Sequence, residues 1–297
     1  MEEKKQPRIK ILVACHKADP NIRQDDIYMP IQVGKALHPE LDLGFQCDNT
    51  GDNISEKNGS YCELTALYWA WKNLKDVDYI GLCHYRRYFD FKTIGSSVRI
   101  IDYSEFKQCR DFDVPISKLD PNKVILPSFW SSPYSIWTNF SSHVMTQDLY
   151  ILYKVIAKYS SGYLSEFEKY LISNKRTGYN MFIMSYANFQ LYCEWLFDIL
   201  DKVEKRVKLC SYISYRRLFG YFGEILLPVY CKVNHLEIDT TRVAMCYENR
   251  RILNTGGKKQ IKDILYNISH FLSNIPPKKT LMNDYWEQYL KLDGIEI

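Results

Sequence analysis

Short apolar segments alternate with polar loops at the start of the chain. The apolar run Ile9–Ala14 follows a charged start and predicts a buried first strand, and the polar residues His16–Asp26 predict a loop at its end. A second strand is predicted around Leu43–Cys47. It leads into Asp48–Asn53, a segment made almost entirely of residues that favour turns.

A helix and a third strand are predicted next. Ser60 and Glu63 have the spacing of a capping box, and apolar residues follow at helical spacing as far as Trp71. Tyr79–His84 is another short apolar run. Strands that alternate with helices in this way predict an α/β fold with a mostly parallel central sheet. Ligands of such sheets bind outside the carboxyl ends of the strands, so the residues just after each strand are the first candidates for function.

The second half of the chain is predicted to be rich in helices. Helical periodicity covers Thr146–Tyr159, Tyr186–Val207 and about Tyr212–Cys231, and short strands are predicted at Val124–Leu126 and Asn180–Ser185.

The composition is that of a globular protein and excludes several classes. The 297 residues are 46% hydrophobic and 25% charged, with a net charge of +4 and no long basic run that would predict nucleic-acid binding. Nine cysteines without a C-x-x-C pair indicate neither a disulfide framework nor a zinc site. No apolar leader and no run of about 18 apolar residues is present, so we expect a cytoplasmic protein.

Cationic residues follow the strand Tyr79–Cys83. The strand continues into His84, Tyr85, Arg86 and Arg87, where arginine side chains suit the bidentate binding of phosphate. Alternatively, the arginines pair with acidic neighbours such as Asp90. Strand alternation would let at most one of the two face a ligand. His16 follows the first strand and is assigned to the same donor site.

Several long blocks resemble a family of bacterial capsule and O-antigen glycosyltransferases, long catalogued only as a domain of unknown function. The blocks are YMPIQVG (Tyr28–Gly34), DNTGDNIS (Asp48–Ser55), YCELTALYWAWKN (Tyr61–Asn73), YIGLCHYRRYF (Tyr79–Phe89), YNMFIM (Tyr179–Met184) and RLFGYFGEIL (Arg217–Leu226). The chain departs from the family at Gly223-Glu224-Ile225, where similar proteins have Ser-Glu-Arg.

The resemblance implies a nucleotide-sugar-binding fold of the GT-A type. We expect one catalytic domain over residues 1–250, with a donor-nucleotide half at 8–127 and an acceptor half at 128–250, followed by a helical tail at 251–297. The implied function is hexosyl transfer from a nucleotide-sugar, with UDP-galactofuranose as the best guess, to a lipid-linked saccharide in surface polysaccharide synthesis. The alternative is a non-catalytic sugar- or nucleotide-binding subunit of a polysaccharide assembly complex.

The donor site raises the question of a metal. Many GT-A enzymes end the strand at the site with a metal-binding Asp-x-Asp, whereas His84-Tyr85-Arg86 stands here and could neutralise the diphosphate directly. Asp48 and Asp52 are possible metal or ribose ligands, or they cap the turn that contains them. We therefore assign no metal ligand and leave a Mg²⁺ or Mn²⁺ requirement open.

Two glutamates are candidate general bases for an inverting transfer. Glu224 comes first because its apolar segment predicts burial and a raised pKa, although Arg217 lies on the same helical face and could pair with it. Glu63 comes second, because the predicted capping box already explains it.

Aromatic and polar residues of the second half are candidates for the acceptor site. Asn180 could bind a sugar hydroxyl or stand in a turn, and His143 could belong to the site or to a helix cap. The aromatic residues could line a groove or pack on the core. The assigned acceptor residues are Trp130, Tyr134, Trp137, His143, Asn180 and Arg217.

The tail carries a basic amphipathic stretch, Lys258–Ile275, with apolar residues at helical spacing. It predicts either weak peripheral contact with the inner face of the plasma membrane or a helix that docks on the core.

Overall fold

The computed structural model describes residues 6–92, 98–102, 105–106, 112–247, 258–273 and 285–297. Ile275, the last residue of the predicted amphipathic stretch, lies outside the described residues, as do Lys278 and Lys279 just after it. In the described part of the chain, no helix has the length and apolar character needed to cross a bilayer.

The strands of the described residues are β1 (Ile9–Cys15), β2 (Tyr28–Gln32), β3 (Gln46–Cys47), β4 (Tyr79–His84), β5 (Arg87–Asp90), β6 (Val98–Asp102), β7 (Lys123–Pro127), β8 (Trp130–Ser131), β9 (Lys175–Arg176), β10 (Phe182–Ser185) and β11 (Glu237–Tyr247). The helices are α1 (Asn58–Tyr61), α2 (Leu64–Asn73), α3 (Ile136–Phe140), α4 (Thr146–Tyr159), α5 (Ser161–Ile172), α6 (Tyr186–Glu204), α7 (Ile213–Arg216), α8 (Leu218–Val233), α9 (Lys258–Ser273) and α10 (Tyr285–Leu292). Short 3₁₀ turns stand at Ser55–Lys57 and Ile116–Lys118.

A mixed sheet of nine strands forms the centre of the fold. Strands β3, β2, β1 and β4 are parallel neighbours, and β10 pairs antiparallel with both β4 and β7. The α/β class is therefore confirmed. The expected mostly parallel arrangement is continuous only from β3 to β4, because β10 and β5 introduce antiparallel pairs in the rest of the sheet.

The long strand β11 connects two parts of the sheet. Its first half pairs parallel with β7, and its second half pairs with β5 and β6. Because β5 follows β4 after a tight turn with His84 opposite Arg87, β11 supports that turn from the far side of the hairpin.

Apolar side chains cover the sheet on both faces. Leu12 and Ala14 of β1 belong to the larger core under the helices, whereas Ile11 and Val13 belong to the smaller core on the opposite face. This two-sided burial explains why β1 is continuously apolar from Ile11 to Cys15, as is typical of a central parallel strand.

The predicted elements agree with the structure where local pattern is strong. The strands at Ile9–Ala14 and Tyr79–His84 and the helix Thr146–Tyr159 are confirmed. The single helix predicted over Tyr212–Cys231 is wrong, because the non-helical backbone of Arg217 separates α7 from α8. Strands β2, β5, β6 and β11 were not predicted.

Gly81 in β4 permits the close approach of β10. A Cβ atom at this position would lie 2.7 Å from the carbonyl oxygen of Phe182 and 2.9 Å from Cγ1 of Ile183. We expect Gly81→Ala to lower the free energy of unfolding by about 1–3 kcal/mol, the range typical of overpacking. Urea-induced unfolding followed by circular dichroism measures the change.

Gly162→Ala is the matched control. This glycine lies in α5, and a Cβ there has no neighbour within 4 Å, so the substitution is expected to be neutral or stabilising. Equal destabilisation by the two substitutions would contradict the close packing of β4 on β10.

Candidate active site

A cavity of about 550 Å³ opens at the carboxyl ends of β1 and β4. The strand ends contribute His16 and the turn after β4, and the junctions α1–α2 and α7–α8 close the other side. Its ionisable lining residues are His16, Cys62, Glu63, His84, Tyr85, Arg86, Arg87, Arg216 and Arg217. Four arginines and one glutamate therefore border a single cavity at the edge of the sheet where ligands bind in α/β folds.

Both arginines of the β4–β5 turn line the cavity. Strand alternation does not separate them, because Tyr85 and Arg86 form the turn itself. Nε of Arg86 lies 3.2 Å from Oδ2 of the buried Asp19 carboxylate, and the guanidinium of Arg87 lies 4.7 Å from the ring centre of Tyr179. The alternative that the arginines pair with acidic neighbours therefore holds for Arg86 through Asp19, while Asp90 contacts Arg99.

His84 connects the turn to the segment before β10. Its Nε2 lies 2.6 Å from the carbonyl oxygen of Tyr179, so this nitrogen donates the hydrogen bond. Burial lowers the pKa of His84 and outweighs the opposite effect of Glu63. The imidazole is therefore neutral near pH 7, and the positive charge of the cavity comes from the arginines.

Glu63 lines the cavity and does not take part in a capping box. Its side chain is only 8% exposed and accepts a hydrogen bond of 2.6 Å from Nδ2 of Asn180, whereas the hydroxyl of Ser60 donates to the carbonyl oxygen of Lys57. The predicted capping box is wrong because Cys62, with a φ of 54°, breaks the helix between Ser60 and Leu64.

Asn180 joins three segments of the chain. Tyr179 and Asn180 both have left-handed backbone conformations, with φ of 69° and 51°, and Nδ2 of Asn180 also donates to the carbonyl oxygen of Gly220 at 2.9 Å. Oδ1 of Asn180 has no hydrogen-bond partner among the described residues. A Cβ on Gly223 would lie 2.6 Å from this oxygen, so α8 approaches Asn180 closely only because residue 223 is glycine.

Glu224 lies behind this segment on α8. Burial raises the pKa of its carboxyl to about 7, with a further increase from Glu63, while Arg176, the Tyr179 backbone and Arg87 act in the opposite direction. The alternative ion pair with Arg217 does not form: both residues are described, and Arg217 instead donates to Sγ of Cys62 at 3.4 Å.

The residues assigned to the acceptor occupy different environments. Trp130 packs against the ring of Tyr179 at 5.7 Å, and a Cβ on Gly178 would touch both Trp130 and Oε2 of Glu224. Tyr134 is 59% exposed, whereas Trp137 is 2% exposed and belongs to the core. None of these three aromatic residues borders the cavity described above.

His143 does not cap the following helix. Its ring stacks on Tyr221 at 5.2 Å, while α4 begins after Met145 without a side-chain cap. This contact places His143 against α8, the helix that carries Glu224.

Asp48 and Asp52 connect their loop to neighbouring segments of the chain. The buried carboxylate of Asp48 accepts hydrogen bonds from the backbone of Gly34 and Lys35 and from the hydroxyls of Ser55 and Thr65. Asp52 accepts one from Tyr68, and neither aspartate lines the cavity. No group of three or more potential metal-ligating side chains occurs within the described ranges.

Sequence reasoning missed Arg176 and Arg216. Arg176 lies 5.0 Å from the ring centres of Trp130 and Phe140, and its charge acts on Glu224. Arg216 borders the cavity from α7. The only available signal was their closeness in sequence to the YNMFIM and RLFGYFGEIL blocks.

Residues 10–235 match the family described as "Domain of unknown function (DUF4422)", and the chain belongs to that family. No curated protein matches the chain. The solved apo structure of the bifunctional glycosyltransferase WbbM is similar to this chain, with a TM-score of 0.71 and 26% sequence identity. The similarity covers 83% of this chain and 48% of WbbM, so the chain spans about half of that protein's length.

The raised pKa of Glu224 predicts a pH-dependent stability. Folded protein holds this proton up to about pH 7, whereas a glutamate in the unfolded chain loses it near pH 4.5, so the contribution to stability is lost as the pH rises through that window. The neutral variant Glu224→Gln should therefore gain stability relative to wild type between pH 5 and pH 8.

Thermal unfolding at a series of pH values measures the difference. The exposed Glu194→Gln on α6 is the matched control for the loss of a carboxyl group at the protein surface. Burial also raises the pKa of Asp148 to about 7. Because wild type and both variants contain Asp148, its contribution to stability drops out of the difference between them. A flat difference for Glu224→Gln would show that this carboxyl titrates as it does in the unfolded chain.

Proposed function

We propose that the chain is a glycosyltransferase that takes a sugar from a nucleotide-sugar donor and transfers it to a saccharide acceptor. The observation that carries this proposal is the cavity at the carboxyl ends of β1 and β4, bordered by Arg86, Arg87, Arg217 and the buried Glu63. The similarity to WbbM supports the same activity class. We further propose a GT-A-like fold, with the donor held mainly by residues 8–127.

The arginines of the cavity act on the leaving group. A nucleoside diphosphate leaves with increasing negative charge, and guanidinium groups fixed at the strand ends stabilise that charge without reorganisation. Arg87 is the primary candidate, because no described carboxylate lies within ion-pair distance of it, whereas Arg86 already contacts Asp19.

Glu224 is proposed as the general base of an inverting transfer. An acceptor hydroxyl attacks the anomeric carbon, its proton passes to the carboxylate, and the bond to the diphosphate breaks. A carboxyl with a pKa of about 7 is matched to this task at neutral pH. Glu63 is the second candidate, because it borders the cavity directly.

The substrates are proposed from the sequence resemblance. UDP-galactofuranose is the proposed donor, and a lipid-linked saccharide of capsule, O-antigen or exopolysaccharide synthesis is the proposed acceptor, met at the cytoplasmic face of the plasma membrane. A non-catalytic subunit of a polysaccharide assembly complex would bind the same donor without turnover.

We propose that the transfer does not require a divalent metal. Support comes from His84-Tyr85-Arg86 at the strand end and from the hydrogen bonds that occupy Asp48. Assays with and without chelator separate this proposal from a requirement for Mg²⁺ or Mn²⁺.

Donor binding is predicted to depend on the β4–β5 turn. Arg87→Ala should weaken binding of the donor by about 1.5–3 kcal/mol, the range for loss of a hydrogen bond to a charged group. Arg86→Ala should weaken it as well. Isothermal calorimetry measures both, after thermal-shift screening of UDP-, GDP- and dTDP-sugars has identified the donor.

Arg8→Ala provides the control for the loss of an exposed arginine, because Arg8 pairs with Asp76 and Asp78 outside the cavity. Wild-type affinity in both turn variants would exclude the arginines from the donor site.

Turnover is predicted to depend on Glu224. Glu224→Gln should bind the donor normally but lower kcat by about 10²–10⁴, as expected when a general base is removed. Release of free nucleotide in the presence of membrane extract provides the assay, and Glu63→Gln is measured beside it.

The two variants distinguish the candidates. If Glu63→Gln loses turnover while Glu224→Gln retains it, the base is Glu63. If wild-type protein binds a nucleotide-sugar but never releases nucleotide, the chain is a binding subunit.

A further inference from the structure

Helix α9 exposes an apolar face. Its six described isoleucine, leucine and phenylalanine residues are 51% to 69% exposed, although side chains of this kind are usually buried. They are Ile261, Ile264, Leu265, Ile268, Phe271 and Leu272, and they follow helical spacing along one side. The alternative that this stripe docks on the protein's own core is therefore wrong.

Helix α9 makes a polar contact with the rest of the protein at Asn267. Nδ2 of Asn174 donates to Oδ1 of Asn267 at 2.9 Å, and α9 lies beside β8. The following helix α10 behaves in the opposite way, because Leu290 is buried in the main core and Glu287 pairs with Lys154. Helix α10 leaves Tyr289 and Leu292 exposed, but the exposed face of six apolar residues belongs to α9.

We infer that α9 is an interfacial helix that lies on an anionic lipid surface. Its sequence contains Lys258, Lys259 and Lys262 against a single acidic residue, Asp263, so it combines an apolar face with net positive charge. Helices with this composition insert their apolar side into the headgroup region while anionic lipids attract the lysines.

The dimensions agree with a helix that lies in the plane of the membrane. Sixteen residues make a helix about 24 Å long, shorter than the hydrocarbon core of a bilayer. A purely apolar protein groove would leave the lysines without a role, whereas anionic headgroups interact with both parts of the helix.

The position of α9 relates this surface to the candidate site. Strand β8 carries Trp130, which packs on Tyr179 and lies next to Glu224 across Gly178. A membrane under α9 would therefore lie on the side of the proposed acceptor, where a lipid-linked saccharide would arrive. This last step rests on the proposed function, but the lipid contact itself does not.

Vesicle co-sedimentation of the full chain, without donor or acceptor, tests the inference. We expect binding to vesicles of phosphatidylcholine with phosphatidylglycerol, weaker binding to phosphatidylcholine alone, and a decrease as salt is added. Ile268→Glu should lower the partition coefficient by about tenfold or more, because it removes one buried isoleucine and adds a repelled charge.

Leu191→Glu is the matched control. Leu191 is an equally exposed apolar residue on α6, so its substitution makes the same chemical change outside α9 and should leave binding at the wild-type level. Ile268→Ser separates the apolar contribution from charge repulsion. Circular dichroism checks that each variant is folded. We expect folding to be retained because both positions are exposed.

Three results would overturn the inference. Wild-type protein could fail to sediment with anionic vesicles, or Leu191→Glu could weaken binding as much as Ile268→Glu. Alternatively, the protein could form a dimer that Ile268→Glu dissociates, which would assign the face to a second copy of the chain. Donor binding by soluble protein is measured separately, so loss of the lipid contact leaves the proposed function intact.

Discussion

The hydrogen bond between Asn180 and Glu63 is the contact on which the candidate site depends. It spans 117 positions of the sequence and joins the α1–α2 junction to the segment before β10, while the same amide holds the backbone of α8 at Gly220. A buried carboxylate without a partner is costly, and this bond supplies one. Its geometry requires the left-handed backbone of Asn180 and the absence of a side chain at Gly223.

The sheet supplies the opposite wall of the cavity. Strands β1 and β4 end side by side because they are parallel neighbours, and the antiparallel return of β5 turns the chain back at that edge. Arg86 and Arg87 reach the cavity together because Arg86 lies in this turn and Arg87 begins β5, which β11 supports. The mixed character of the sheet therefore contributes directly to the site.

Two sets of ionisable groups of opposite charge lie next to each other at the site. Four arginines border the cavity and repel one another. Because an anionic ligand between them reduces this repulsion, the cavity favours anions. Behind them, burial disfavours ionisation of Glu224, and the charge of Glu63 adds to this effect. One fold thus places fixed positive charge next to a carboxyl that titrates near neutral pH.

Local sequence pattern was sufficient to predict the elements whose buried residues form one apolar run or one helical stripe. Strand β1 and helix α4 were predicted because an apolar run and a helical stripe each reflect the faces they bury, and the cationic turn was found because it follows such a strand. The two-residue strands β8 and β9, and β11 with its changing partners, have no comparable local signal.

Only the tertiary structure decided the roles of single side chains. Glu63 has the spacing of a capping residue, and its contact with Asn180 is invisible to a local pattern because the two are far apart in sequence. In the same way, the stripe of α9 is compatible with a core or with a surface. Periodicity determines which residues share a face, whereas long-range packing determines what that face meets.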